Sequence, residues 1–187
     1  MSNLFDSLRW LPAPPPDFMR ICHGVLATPE NVGQSLQWLA SHALDDIQLN
    51  QLAKQIARGR GAGLSLAPLT PFKLGLISNT TTDFICPALV ATAARYGIAL
   101  DCMAAPFGQV GQQALTPHSE IKRAKPDAVL IALDFRGLPL RPTPGDATRA
   151  QETVTHVLDY LTAIREGIKQ ESNAICIVQT VARPVEP

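Results

Sequence analysis

Three clusters of small polar and charged side chains are the places in this chain where chemistry could be done. Ser78, Asn79, Thr80, Thr81 and Thr82 follow the apolar run Leu74-Gly75-Leu76-Ile77 and offer hydroxyls and a carboxamide. Gly108 and Gln109, with Gln112 and Gln113 close behind, offer a backbone N–H at a tight turn and further amides. Asp134 and Arg136 offer one charge of each sign. Together such groups could act as nucleophile, oxyanion donors and orienting residues. They could equally bind an anion at a helix start. A hydroxyl nucleophile also needs a base within hydrogen-bond reach. Of the four histidines, His23 and His42 fall in a helical N-terminal region and His156 falls inside a long helix. Only His118, near the second cluster, is placed to serve.

Each of these residues also has a structural reading. The Ser/Thr run can cap a helix and satisfy its free N–H groups. Asp134 at a strand end can close a turn. Arg136 can receive a phosphate or carboxylate, or pair with Asp134. His118 can be a solvated residue at a helix start. Cys22, Cys86, Cys102 and Cys176 are far apart, without metal-ligand or C-x-x-C spacing, and three of them fall in expected helix or strand interiors, where a free Cys behaves as a small hydrophobe. Neither a dinucleotide-binding glycine pattern, a phosphate-binding loop nor a G-x-S-x-G turn occurs. No metal or cofactor is expected in this chain.

The elements that must position these clusters follow from periodicity. Residues 1–70 read as a run of short amphipathic helices. One or two turns lie over residues 4–10, and the prolines of residues 11–16 break the chain. A helix over residues 17–26 carries Phe18, Ile21, Cys22 and Val25. The next is capped by Thr28 with Pro29 at its first position, and its stripe is Val32, Leu36 and Leu39. Another runs from about residue 46 to 58, with Asp45 and Asp46 at its positive end. Trp10 and Trp38 are expected in the core. Residues 66–71, with two prolines, are expected to cross in extended form.

The pattern then changes. Apolar runs at 74–77, 98–103, 128–133 and 174–178 read as strands. Helices are expected over residues 84–96, 117–124 (capped by Thr116) and from Asp146 onward, the last with the stripe Val154, Val157, Leu158, Leu161, Ile164 and Ile168. Residues 104–113 and 134–145 read as loops. Continuous apolar strands alternating with amphipathic helices argue for a parallel sheet covered on both faces. Right-handed crossovers put all strand C-terminal ends, and so all three clusters, on one rim. The expected architecture is α/β: a three-layer, flavodoxin- or SGNH-hydrolase-like parallel sheet over residues 71–187 behind a helical lead-in over residues 1–70. A sheet ending just after its fourth strand, without a closing helix, reads as cut short.

Composition agrees with a globular protein: 46% of residues are apolar, 17% are charged, and sixteen basic residues balance sixteen acidic ones. That balance points to neither nucleic acid nor an acidic membrane. Membrane helices need roughly 18–20 apolar residues, and no run approaches that. The N-terminus lacks a secretory pattern, so a cytoplasmic protein is expected.

Several stretches together resemble a known family. They are Leu76-Ile77-Ser78-Asn79-Thr80-Thr81-Thr82-Asp83, the segment Ala104-Ala105-Pro106-Phe107-Gly108-Gln109-Val110-Gly111-Gln112-Gln113-Ala114-Leu115, and Lys125-Pro126-Asp127-Ala128-Val129-Leu130-Ile131-Ala132-Leu133-Asp134. With Trp10-Leu11-Pro12-Ala13-Pro14-Pro15 and Leu49-Asn50-Gln51-Leu52-Ala53, they resemble the N-terminal domain of FkbH-like proteins over nearly the whole chain. The resemblance implies an SGNH-hydrolase-like domain followed by a HAD-type phosphatase domain, with Mg2+ expected in the latter. In such proteins the phosphatase domain moves a glyceryl group from 1,3-bisphosphoglycerate to an acyl carrier protein in polyketide and related pathways. Its D-x-D-x-T motif is absent here, so this chain alone is not expected to perform the transfer. An SGNH nucleophile would align with Thr80, and Gly108 with the oxyanion glycine. The third-block asparagine has no counterpart around residues 134–137, and the D-x-x-H segment would lie beyond Pro187. The resemblance therefore implies an auxiliary domain that binds the carrier protein or positions the phosphatase. In this reading Asn79, Thr81, Gly108, Gln109, Asp134 and Arg136 are binding residues. The alternative is an SGNH-type esterase or acyl-transfer enzyme using Ser78 or Thr80.

Overall fold

The computed structural model describes residues 10–141 and 144–181. The turns expected over residues 4–10 lie almost wholly outside that range. The chain forms two compact units. One comprises Met1–Phe72 with Asp83–Cys102, and the other Lys73–Thr82 with Met103–Pro187.

In the first unit, helices α1 (Phe18–Gly24), α2 (Val32–Ala40), α3 (Asp46–Gly61) and α4 (Ile85–Arg95) share one core of Phe18, Cys22, Leu36, Leu39, Leu52, Ile56, Ala91 and Ala94. Their apolar residues recur at helical spacing, so each helix buries one face. Asp45 caps α3 in a full capping box: its carboxylate accepts from Gln48 N, and the Gln48 side chain accepts from Asp45 N. Thr28 makes no side-chain cap. A 3-10 turn, Pro29–Asn31, intervenes before α2. Pro87 stands third in α4, within the first turn, where the missing N–H breaks no helical bond.

The two tryptophans depart from expectation. Trp10 is 63% and Trp38 49% exposed. Trp38 sets its ring edge-on to His42, and Trp10 lies under the Arg95 guanidinium. Each therefore spends its ring on a polar neighbour at the surface rather than in the core. Residues 66–69 form a tight turn, with Leu69 N donating to Leu66 O at 2.8 Å, so the extended crossing expected over residues 66–71 starts only at residue 70. Strand β1 (Thr70–Ser78) then begins four residues earlier than the apolar run suggests. Its first half is largely exposed, so nothing there required apolar residues.

The second unit holds β1 from Lys73 onward, α5 (Val110–Leu115), α6 (Glu120–Arg123), β3 (Ala128–Ala132), α7 (Ala147–Lys169) and β4 (Ile175–Val178). Strand β2 (Ile98–Ala104) runs from the first unit into it. The four strands make one sheet in the order β2-β1-β3-β4. Strands β1, β3 and β4 are parallel, with Leu76 opposite Leu130 and Leu130 opposite Ile177. This is the expected α/β fold with a parallel sheet and alternating helices. Ile77, Ile121, Val129, Ile131, Ile164 and Ile168 form the unit's core.

Three expectations fail locally. The 104–113 loop ends in a helix, α5. The short helix that follows starts only at Glu120, and Ser119 rather than Thr116 caps it. Along α7, Ile164 and Ile168 are buried, whereas Val154 and Leu158 of the same stripe are exposed. The helix thus packs by its second half. Among the described residues no helix is long and apolar enough to cross a membrane.

Candidate functional site

In a sheet of order 2-1-3-4 the connections leave β1 and β3 in opposite directions, and in open α/β sheets ligands bind beyond the C-terminal ends of two such strands. The loops after β1 and β3 carry two of the three clusters. They meet there.

Asn79, just past β1, and Asp134, just past β3, grip each other twice. Asn79 Nδ2 donates to Asp134 Oδ1 at 2.6 Å, and Asp134 N donates to Asn79 Oδ1 at 3.0 Å. Asp134 Oδ1 also accepts from the backbone N–H of Arg136 at 2.8 Å and of Gly137 at 3.3 Å, winding residues 135–137 into a 3-10 turn. Arg136 Nε stands 3.7 Å from Asp134 Oδ2. The bond from Asn79, joined by the two backbone bonds and the Arg136 charge, holds the Asp134 carboxyl below its ordinary range, against a smaller opposing effect of desolvation. Gly137 makes the approach possible. A Cβ there would lie 2.6 Å from Asn79 Cγ. A larger residue would push the carboxamide out of the bracket.

Ser78 is buried at the last position of β1, where it pairs with Ala132. Its Oγ accepts from Thr80 N at 3.0 Å and lies 3.0 Å from Thr80 Oγ1. The two hydroxyls therefore satisfy each other and close a local turn. Thr80 and Thr81 are exposed, and Thr82 is buried. Among the described residues neither Ser78 nor Thr80 is bonded to a histidine or carboxylate. His118 is engaged elsewhere: its backbone N donates to Glu171 Oε2 at 2.8 Å, and its ring lies 3.5 Å from that carboxylate.

Ala105 N donates to Leu76 O at 2.7 Å, which starts the second cluster's loop beside β1. Gly108 is exposed at φ +75°, a conformation that favours glycine. Gln109 does not turn toward the Asn79–Asp134 bracket; its Oε1 accepts from Gln113 Nε2 at 3.3 Å. Gln113 is a buried strut. Its Oε1 accepts from Ile121 N, and its backbone O accepts from Ser119 Oγ. The structure thus joins Ser78 to Thr80, and Asn79 to Asp134 and Arg136, without a hydrogen bond from Gly108 or Gln109 to either set.

Two of the thiols are held protonated. Burial pushes Cys22 up to about 11, and Cys102 is raised by a hydrogen bond with Cys86 and by burial. Among the described residues no group of three or more His, Cys, Asp or Glu side chains could hold a metal ion. The residue that sequence reasoning missed is Gly137. Its role depends on a neighbour 58 positions away in sequence, 137 against 79, and no local pattern marks it.

No family model matches the chain. No curated protein matches it either. Among solved structures it is similar to the crystal structure of the N-terminal part of the protein BF1531 from Bacteroides fragilis, described as containing a phosphatase domain and complexed with Mg. The likeness has a TM-score of 0.50 at 17% identity and covers 70% of this chain. The chain spans about a third of that structure, 34% of its length. At that identity the likeness concerns the fold.

Proposed function

We propose that the chain is the N-terminal, SGNH-like auxiliary part of a FkbH-like enzyme that transfers a glyceryl group from 1,3-bisphosphoglycerate to an acyl carrier protein. In this reading residues 71–187 are the SGNH-like domain and residues 1–70 its lead-in. The protein is cytoplasmic, and a HAD-type domain with Mg2+ does the chemistry. The observation that carries the reading is the hydrogen-bonded junction of the loops that follow β1 and β3. Its polar groups are built and internally bonded, yet neither hydroxyl has a base among the described residues. Such a rim can present a binding surface but does not activate a nucleophile. The likeness to the N-terminal part of a phosphatase-containing protein supports the same arrangement. The esterase alternative requires a base that neither Ser78 nor Thr80 has among the described residues.

The test is carrier-protein loading from 1,3-bisphosphoglycerate by the phosphatase domain, with and without this chain. Loading should rise when the chain is supplied and fall when Asn79 and Asp134 are both replaced by alanine. Unchanged loading in both comparisons overturns the auxiliary role. Hydrolysis of a short-chain ester that is lost in Thr80→Ala would favour the alternative instead.

A further inference from the structure

A second concave site lies in the same unit and shares no residue with the bracket. It is an open cleft of about 650 Å3 between the segment after the 135–137 turn and the first half of α7. Pro139 and Arg141 line one wall, and Arg149, Glu152, Thr153 and His156 the other. The volume falls within the range of small-molecule sites. The α7 residues stand at i, i+3, i+4 and i+7, so one face of the helix supplies that wall. Thr153 Oγ1 donates to Arg141 O at 3.3 Å, which fixes the first wall against the second.

The lining carries two guanidiniums, one carboxylate and one imidazole, so arginine dominates its charge. Arg149 is steadied by Asp146, whose Oδ2 lies 3.5 Å from its Nε and whose Oδ1 caps the helix at Arg149 N. The Arg141 guanidinium has no acidic partner among the described residues. Guanidiniums from two separate segments offer paired N–H donors to an anion with several oxygens. A tetrahedral dianion has oxygens enough for both guanidiniums and for an N–H of His156. A planar carboxylate satisfies one fork at a time.

We infer that the cleft between Arg141 and the Arg149–His156 face of α7 binds a phosphate monoester. Glu152 weakens the attraction for the phosphate itself and offers an acceptor to a hydroxyl or amine on the rest of the ligand. The assignment holds whether or not the glyceryl-transfer reading does.

Inorganic phosphate is the probe, read on the whole chain by calorimetry and by the His156 imidazole NMR signals, identified through their loss in His156→Asn. Phosphate should move those signals. Arg141→Ala should weaken binding roughly tenfold, the loss expected for one charge-assisted contact. Glu152→Gln, which removes the repelling carboxylate, should tighten it severalfold. Neither replacement touches the folded core, because Arg141 and Glu152 are both exposed. Signals that stay still at millimolar phosphate overturn the inference. So does unchanged affinity in both variants. Acetate bound as tightly as phosphate would overturn the phosphate class.

Discussion

Asp134 sits where three demands on one carboxylate coincide. It closes its own turn, receives the Asn79 amide and faces Arg136. Because these partners favour the ionised form, its carboxyl is lowered in the folded chain. A lowered carboxyl stabilises the fold above the unfolded value and loses that contribution as pH falls through the folded value. The melting temperature of Asp134→Asn should therefore sit below wild type by a constant gap above about pH 5, and the gap should close in acid. Thermal melts from pH 2 to 8 check this, and a gap independent of pH would show that the charge is not what matters. The reading of Asp134 and Arg136 as a pair was available from the sequence, since they are two residues apart. The Asn79 contact was not, because it spans 55 positions and depends on which strands become neighbours.

At the scale of elements, burial decided what could be read. Strand and helix cores carry apolar residues at regular spacing, so β3, the inner half of β1, α3 and α7 were legible. Thr70-Pro71-Phe72-Lys73 escaped because that half of β1 is largely exposed. Helix α5 escaped because Val110-Gly111-Gln112-Gln113-Ala114-Leu115 hides its one buried polar residue, Gln113, inside a glutamine pair that looks like loop. Two replacements test the packing of the helices. Gln55 in α3 is 2% exposed, and its Nε2 has no partner among the described residues. An unsatisfied buried donor is costly, so Gln55→Met should raise stability by roughly 1 kcal/mol in urea unfolding. A lower midpoint would mean that the amide is satisfied after all. In α2, a Cβ on Gly33 would fall 2.0 Å from Leu66 O and 2.3 Å from Ala67 O, both backbone atoms. Gly33→Ala should cost at least about 1–3 kcal/mol. Gly61→Ala, with open space around it, should be nearly neutral under the same measurement.

For the whole molecule, fold class followed from the alternation of apolar runs with amphipathic helices, and strand order did not. Nothing local says that β3 adds beside β1 rather than beside β2. That choice places the Asn79 and Asp134 loops side by side and lets them bond, so the site became visible only with the topology.

The same topology has a consequence at the opposite end of the strands. Asp127, just before β3, ties that strand to the start of β4 and to Lys73 within β1. Its Oδ2 accepts from Lys73 N, its N–H donates to Lys73 O, and its carbonyl accepts from Ile175 N. The first of these bonds spans 54 residues. On a ribosome adding about 5–20 residues per second, the greasy segment from Leu74 to Ile77 has no β3 to lie against for on the order of seconds after it is made. During that interval the nascent polypeptide depends on other shelter, and overproduction without holdase capacity should send more of it into inclusion bodies.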